Sequence, residues 1–126
     1  MTRHAFNSAL APPPSGPASA AVSAGRLVFV SAQLPVEGVG RTATGSAAGQ
    51  ARLVLDNLTH QLRATGLGLD TVAKLTIHLV DPADLTAVDD ACVVYFSEPY
   101  PARTIVGAAW LPGGARLQIE AIAVRY

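Results

Sequence analysis

Residues 101–126, PARTIVGAAWLPGGARLQIEAIAVRY, hold two apolar strand-like runs, 104–110 and 116–125, on either side of the turn signal Leu111-Pro112-Gly113-Gly114. A hairpin across that turn brings the start of one strand near the end of the other, so Arg103 and Glu120 are expected to be neighbours. A guanidinium fork suits a substrate carboxylate. A carboxylic acid beside it can pass a proton to or from a bound water. The pair describes a small-molecule site that uses no metal.

Outward from this stretch, the chain alternates strand and helix periods. After Gly25, Arg26-Leu27-Val28-Phe29-Val30-Ser31 is a β-branched and aromatic run, ended by Gln33-Leu34-Pro35, and reads as a buried strand. Residues 10–21, rich in Ala, Pro, Ser and Gly, read as a loop, as do residues 36–46. Ser46 can cap a helix whose apolar stripe is Ala51, Val54, Leu55, Leu58 and Leu62. Arg52, Asp56, Asn57, His60 and Arg63 fall on its other faces, and Gly66 stops it. Ala73, Leu75, Ile77 and Leu79 then alternate with Lys74, Thr76 and His78, a strand with one buried face. Asp81 and Pro82 suit the first positions of a second helix carrying Leu85, Val88, Cys92, Tyr95 and Phe96, before the breakers Pro99 and Pro101. The order strand, helix, strand, helix, strand, strand predicts an α+β fold, a sheet with both helices on one face.

With 126 residues the chain is expected to form one domain. Hydrophobic residues make up 50% and charged residues 14%, well under the roughly 25% charge of an average soluble domain. A surface so thin in charge, together with a sheet face left bare by the helices, predicts a homo-oligomer. Nine basic and nine acidic residues cancel, which argues against a nucleic-acid partner. The apolar runs are strand-length and the N-terminus lacks a signal-like stretch, so a cytoplasmic protein without membrane contact is expected. Cys92, the single cysteine, excludes an internal disulfide and a thiolate zinc site.

Other residues are better explained by packing or solvation. His4, His60 and His78 sit in different elements, without metal-ligand spacing. Cys92 lies on an apolar stripe, Asp89 and Asp90 suit a helix surface, and Ser31 has no nucleophile elbow around it. Gly113-Gly114 is too short for a phosphate loop. Glu120 shares its strand face with Arg116, Gln118, Ile122 and Val124, and Arg116 is a possible partner for it.

Four motifs carry a family resemblance: Gly16-Pro17, the run from Leu27 through Ser31-Ala32-Gln33 to Pro35, Pro101-Ala102-Arg103-Thr104, and Ile119-Glu120-Ala121-Ile122-Ala123-Val124. Together they resemble the Rid, or YjgF, family. That resemblance implies a chorismate-mutase-like α+β fold, homotrimers with pockets between subunits, and hydrolysis of a reactive enamine or imine such as 2-aminoacrylate to a 2-oxo acid and ammonia, without a cofactor. Arg103 would hold the substrate carboxylate, Glu120 would position the attacking water and relay its proton, and backbone around Ser31 and Ala32 would line the pocket. Where characterised members carry a tyrosine, an asparagine, a cysteine and a glycine, this chain has Ala18, Asp89, Ile105 and Ala32. Ala18 should widen the pocket, Ile105 should make the wall near the arginine more apolar, and Asp89 should compete with substrate for Arg103. A bulkier imine follows as the expected substrate. Two alternatives stay open: a non-catalytic trimeric module that binds a small carboxylate, and a specialised biosynthetic enzyme acting on an enamine-like intermediate. Ribonuclease activity, attributed to some relatives, is opposed by the charge balance.

Overall fold

A computed structural model describes residues 2–37 and 41–126, so the middle of the loop expected over 36–46 lies outside the described residues. In chain order the elements are β1 (His4–Phe6), β2 (Ala21–Ala24), β3 (Leu27–Gln33), β4 (Val36–Glu37), β5 (Arg41–Thr42), α1 (Ala47–Ala64), β6 (Val72–Leu79), α2 (Leu85–Tyr95), β7 (Ala102–Gly107) and β8 (Leu117–Val124). The fold is α+β, as the order of periods predicts.

Ser46 caps α1 by accepting from the Gly49 amide at 3.2 Å, and the chain leaves the helix through Gly66 at φ +84°, a left-handed position that favours glycine. The predicted stripe, Ala51, Val54, Leu55, Leu58 and Leu62, is fully buried. It packs against Val28, Val30, Leu75, Ile77, Leu117 and Ile119 from the sheet, and α2 adds Val88, Ala91 and Cys92 to the same core. Each large apolar side chain so buried contributes roughly 1.5–3 kcal/mol.

One residue read as polar surface is instead buried. Asn57 donates through Nδ2 to the carbonyls of Leu34 and Val36, at 3.0 and 3.1 Å, tying α1 to the chain between β3 and β4. Asn57→Ala strips two part-buried carbonyls of their donor and is expected to cost about 1–2 kcal/mol, read as a lower urea midpoint with unchanged slope.

The six-stranded sheet runs β1-β2-β3-β8-β6-β7, and only β6 and β7 are parallel. This overturns the predicted hairpin. Strands β7 and β8 lie on opposite sides of β6, because β6-α2-β7 is a crossover unit that returns the chain parallel to itself. Residues 108–116 then step across the end of β6, tied to it at both ends by Ala108 N to Leu79 O (2.8 Å) and Val80 N to Arg116 O (3.1 Å). The Pro112–Gly114 turn is a single 3₁₀ turn within that crossing.

Smaller differences have local causes. Strands β1 and β2 emerge from stretches too short and too rich in small residues to show a period, and β2 joins β3 through a tight turn at Gly25. In β6 a register shift between Val72 and Lys74 exposes Ala73 and buries Val72 in its place. Asp81 accepts from the Ala83 amide at 2.9 Å, yet it caps a 3₁₀ turn, Pro82–Asp84, that precedes α2. Within the loop expected over 36–46, β4 and β5 pair as a two-stranded ribbon.

Both helices cover one sheet face, as expected. The other face carries Leu27 and Phe29, each 42% exposed, with the partly covered Val22, Ile122 and Val124 beside the polar Lys74, Thr76, Gln118 and Glu120. Among the described residues no helix is long and apolar enough to cross a membrane.

Candidate active site

Strand pairing decides where the two candidate side chains, Arg103 and Glu120, point. Arg103 pairs with Leu75, which pairs on its other side with Ala121, and both of these are buried under the helices. Thr104 pairs with Thr76, and Thr76 with Glu120, in the adjacent row. Successive residues of a strand face opposite ways, so Arg103 belongs to the helix-covered face and Glu120 to the bare one. Two strand spacings of about 4.8 Å also separate their backbones. The expected Arg103–Glu120 neighbourhood is therefore absent within one chain. A turn signal shows where the chain reverses, not which strand lies between.

Around Arg103 the structure builds a polar cluster beside a cavity at the sheet edge. Strand β7 presents the guanidinium to α2, where Nη1 donates to Asp89 Oδ1 at 2.5 Å, with side chains 34% and 47% exposed. The Asp89 hydrogen bond holds the Arg103 pKa above its ordinary value, so the cation is permanent. Asp89 does contact Arg103, as expected, and occupies one arm of the fork, leaving Nε and Nη2 to other acceptors. Behind the pair lies a cavity of about 330 Å³. Burial pushes the Cys92 thiol in its wall up, against the pull of the Arg103 charge, which keeps the sulfur protonated and poorly nucleophilic. Ile105, two residues along the same face, lines a different hollow with Leu79, Val80 and Pro82, so it does not wall the Arg103 cavity.

Glu120 stands on the bare face, in a hollow of about 300 Å³ shared with Ser19, Phe29, Ser31, Lys74 and Thr76. Ser31 Oγ donates to the Ser19 carbonyl at 2.7 Å, and Gln33 Nε2 donates to the Ser31 carbonyl at 2.9 Å, fixing this bend of β3. Lys74 Nζ donates to Thr104 Oγ1 at 2.5 Å and brings a cation to the wall that holds Glu120. Ser31 also opens into an adjoining hollow of about 580 Å³, lined by Ala18, Ala32 and the Pro12-Pro13-Pro14 run. Ala18, Ser31, Ala32 and Glu120 thus belong together, while Arg103 and Asp89 form the other group.

Lys74 and Thr76 join the lining of the Glu120 hollow, on the polar face that the alternation in β6 assigns them. Arg116, offered as a partner for Glu120, instead makes a two-point contact with the buried Asp84: Nε to Oδ2 at 2.8 Å and Nη2 to Oδ1 at 2.9 Å. His78 Nδ1 meets Gln118 Nε2 at 3.3 Å. No group of three or more His, Cys, Asp or Glu that could hold a metal occurs among the described residues.

The family model described as Endoribonuclease L-PSP matches residues 8–125. The YjgF gene product of E. coli superposes with a TM-score of 0.90 at 33% identity, covering 98% of this chain and 99% of that one. The chain belongs to the Rid, or YjgF, family. Its relatives in that family include the 2-iminobutanoate/2-iminopropanoate deaminase of Capra hircus, 36% identical over 126 residues, or 99% of this chain and 92% of that protein. The Homo sapiens protein of the same name is 33% identical over the same shares. E. coli TdcF, solved with bound serine, superposes with a TM-score of 0.91 at 34% identity, covering 98% of this chain and 99% of that one. The sheet with two helices on one face is thus the architecture of Rid proteins, and it is this architecture that sets Arg103 and Glu120 on opposite faces.

Proposed function

We propose that this Rid chain is an enamine/imine deaminase, working in the cytoplasm as a homotrimer whose sites lie between subunits. The observation that carries the reading is the division of the site: Arg103 and Glu120 face opposite sides of one sheet, so a complete site needs Arg103 from one copy and Glu120 from another. The exposed Leu27 and Phe29 around the Glu120 hollow supply apolar area for that contact. The deaminase names of relatives spanning nearly the whole chain support the chemistry.

In this reading the free donors of Arg103 hold the carboxylate of a 2-imino acid, and Glu120 of the neighbouring copy faces the imine carbon through one water. As the water oxygen bonds to that carbon, Glu120 takes its proton and relays it to nitrogen. The resulting carbinolamine collapses to a C=O group and expels ammonia. Addition of one water thus gives a 2-oxo acid and ammonia, while an enamine first takes a proton on its terminal carbon. Held geometry and one proton shuttle are enough for so reactive an electrophile. The ribonuclease in the family's description finds little support here, since a chain of zero net charge offers few phosphate contacts.

The test generates imines in situ from alanine and from leucine with an amino-acid oxidase, in competition with a nucleophilic trap. Added protein is expected to divert imine from trap to 2-oxo acid, and light scattering at micromolar concentration is expected to give the mass of three chains. No diversion of any imine overturns the activity, and a stable monomer overturns the shared site.

A further inference from the structure

We propose that the cavity behind Arg103 is a side-chain subsite, selecting 2-imino acids with large apolar side chains whose two charged ends are read by Arg103 and Asp89. Its floor is Leu75, Cys92 and Phe96, all buried, with Tyr100 and Pro101 along the rim and the Arg103–Asp89 pair at the mouth. A volume of about 330 Å³ lies at the small end of the roughly 300–1,000 Å³ range of ligand sites, suited to an amino-acid-sized body. The walls are aliphatic and aromatic, so they favour a hydrocarbon side chain over a polar one.

The mouth narrows the choice further. Asp89 engages Nη1 of the Arg103 fork, which leaves the Nε–Nη2 edge for a carboxylate. A second anion close to Asp89 is repelled unless its carrier also brings a positive charge. A protonated imine does so: C=NH₂⁺ faces Asp89, the carboxylate faces Arg103, and the side chain enters the cavity. Asp89 then keeps the imine nitrogen protonated and its carbon electrophilic. The space for a bulky substrate lies here, not beside Ile105.

This subsite rests on the deaminase reading for the identity of its ligand, so the deciding measurement needs no turnover. By calorimetry on the intact protein, L-leucine, a stable zwitterion of the same shape, is expected to bind more than tenfold tighter than L-alanine, at roughly fourfold per buried methylene. It is also expected to bind tighter than 2-oxo-4-methylpentanoate, which lacks the cationic end. Asp89→Asn should reverse that second order, because the removed charge no longer favours the ammonium or opposes the lone carboxylate. Cys92→Leu should cut the leucine-to-alanine ratio at least tenfold by filling the floor. Val93→Trp, at an exposed rim position that leaves the core untouched, should do the same by closing the mouth. Equal binding of leucine and alanine, or a ratio unmoved by both filling variants, overturns the subsite whether or not the protein deaminates imines. Selective leucine binding without turnover of any imine upholds the subsite and overturns the deaminase reading alone.

Discussion

Arg103→Ala is expected to lower kcat/KM for carboxylate-bearing imines by roughly 10²–10⁴-fold. Charge-assisted hydrogen bonds are worth about 1.5–3 kcal/mol each, and a two-point clamp on a carboxylate provides two of them. The loss is deepened because Asp89, relieved of its partner, then faces the incoming carboxylate as a bare negative charge. Arg103→Lys recovers little, since one compact ammonium cannot satisfy Asp89 and also present two parallel donors. The residue lies at an exposed sheet edge, so circular dichroism and the thermal midpoint should hardly move. An alanine variant that keeps near-normal turnover would make Arg103 a surface residue and remove the basis of the carboxylate clamp.

Glu120→Gln is expected to lower kcat by roughly 10²–10⁴-fold, the usual worth of a placed proton shuttle, while KM changes little because the carboxylate clamp is intact. The more telling outcome comes from combining the two dead variants. When Arg103→Ala and Glu120→Gln chains are unfolded together and refolded as mixed trimers, about a quarter of the interfaces pair an intact Arg103 with an intact Glu120 from the next subunit. Activity should return to that order. A site built within one chain admits no such rescue, because every chain in the mixture lacks one of its two groups. Mixed assemblies that form, by mass spectrometry, yet remain inactive would contradict the shared site.

The sequence made some of this legible and hid the rest for identifiable reasons. The α1 stripe from Ala51 to Leu62 and the alternation in β6 are local periods, and both were readable because each element displays its buried face in its own residues. The motifs around Arg103 and Glu120 were likewise enough to nominate both residues as candidates. Their relation was not readable. Strand adjacency is set by the α2 crossover and by the path of residues 108–116 around β6, and neither leaves a mark beyond a turn at Pro112-Gly113-Gly114. Once β6 lies between β7 and β8, the row Arg103–Leu75–Ala121 is out of step with the row Thr104–Thr76–Glu120, and the two side chains part to opposite faces. Asp89 was anticipated because a charge in place of an amide is visible in a single letter. The cavity beside it was invisible, because it is enclosed by residues from β6, α2 and the start of β7 that no window of sequence unites.

The grip of Arg116 on Asp84 has a consequence at a distance. Asp84 is the N-cap of α2, and Arg116 immediately precedes β8, so the helix that carries Asp89 and the strand that carries Glu120 are both dated from one clasp. In the proposed trimer Asp89 and Glu120 would serve different neighbours across different seams, yet they share this common origin of measurement. On that proposal, a disturbance at Arg116 would throw both seams out of alignment together: leucine selectivity at one and water activation at the other would decline in parallel, as two hands of a clock slip when a single arbor works loose.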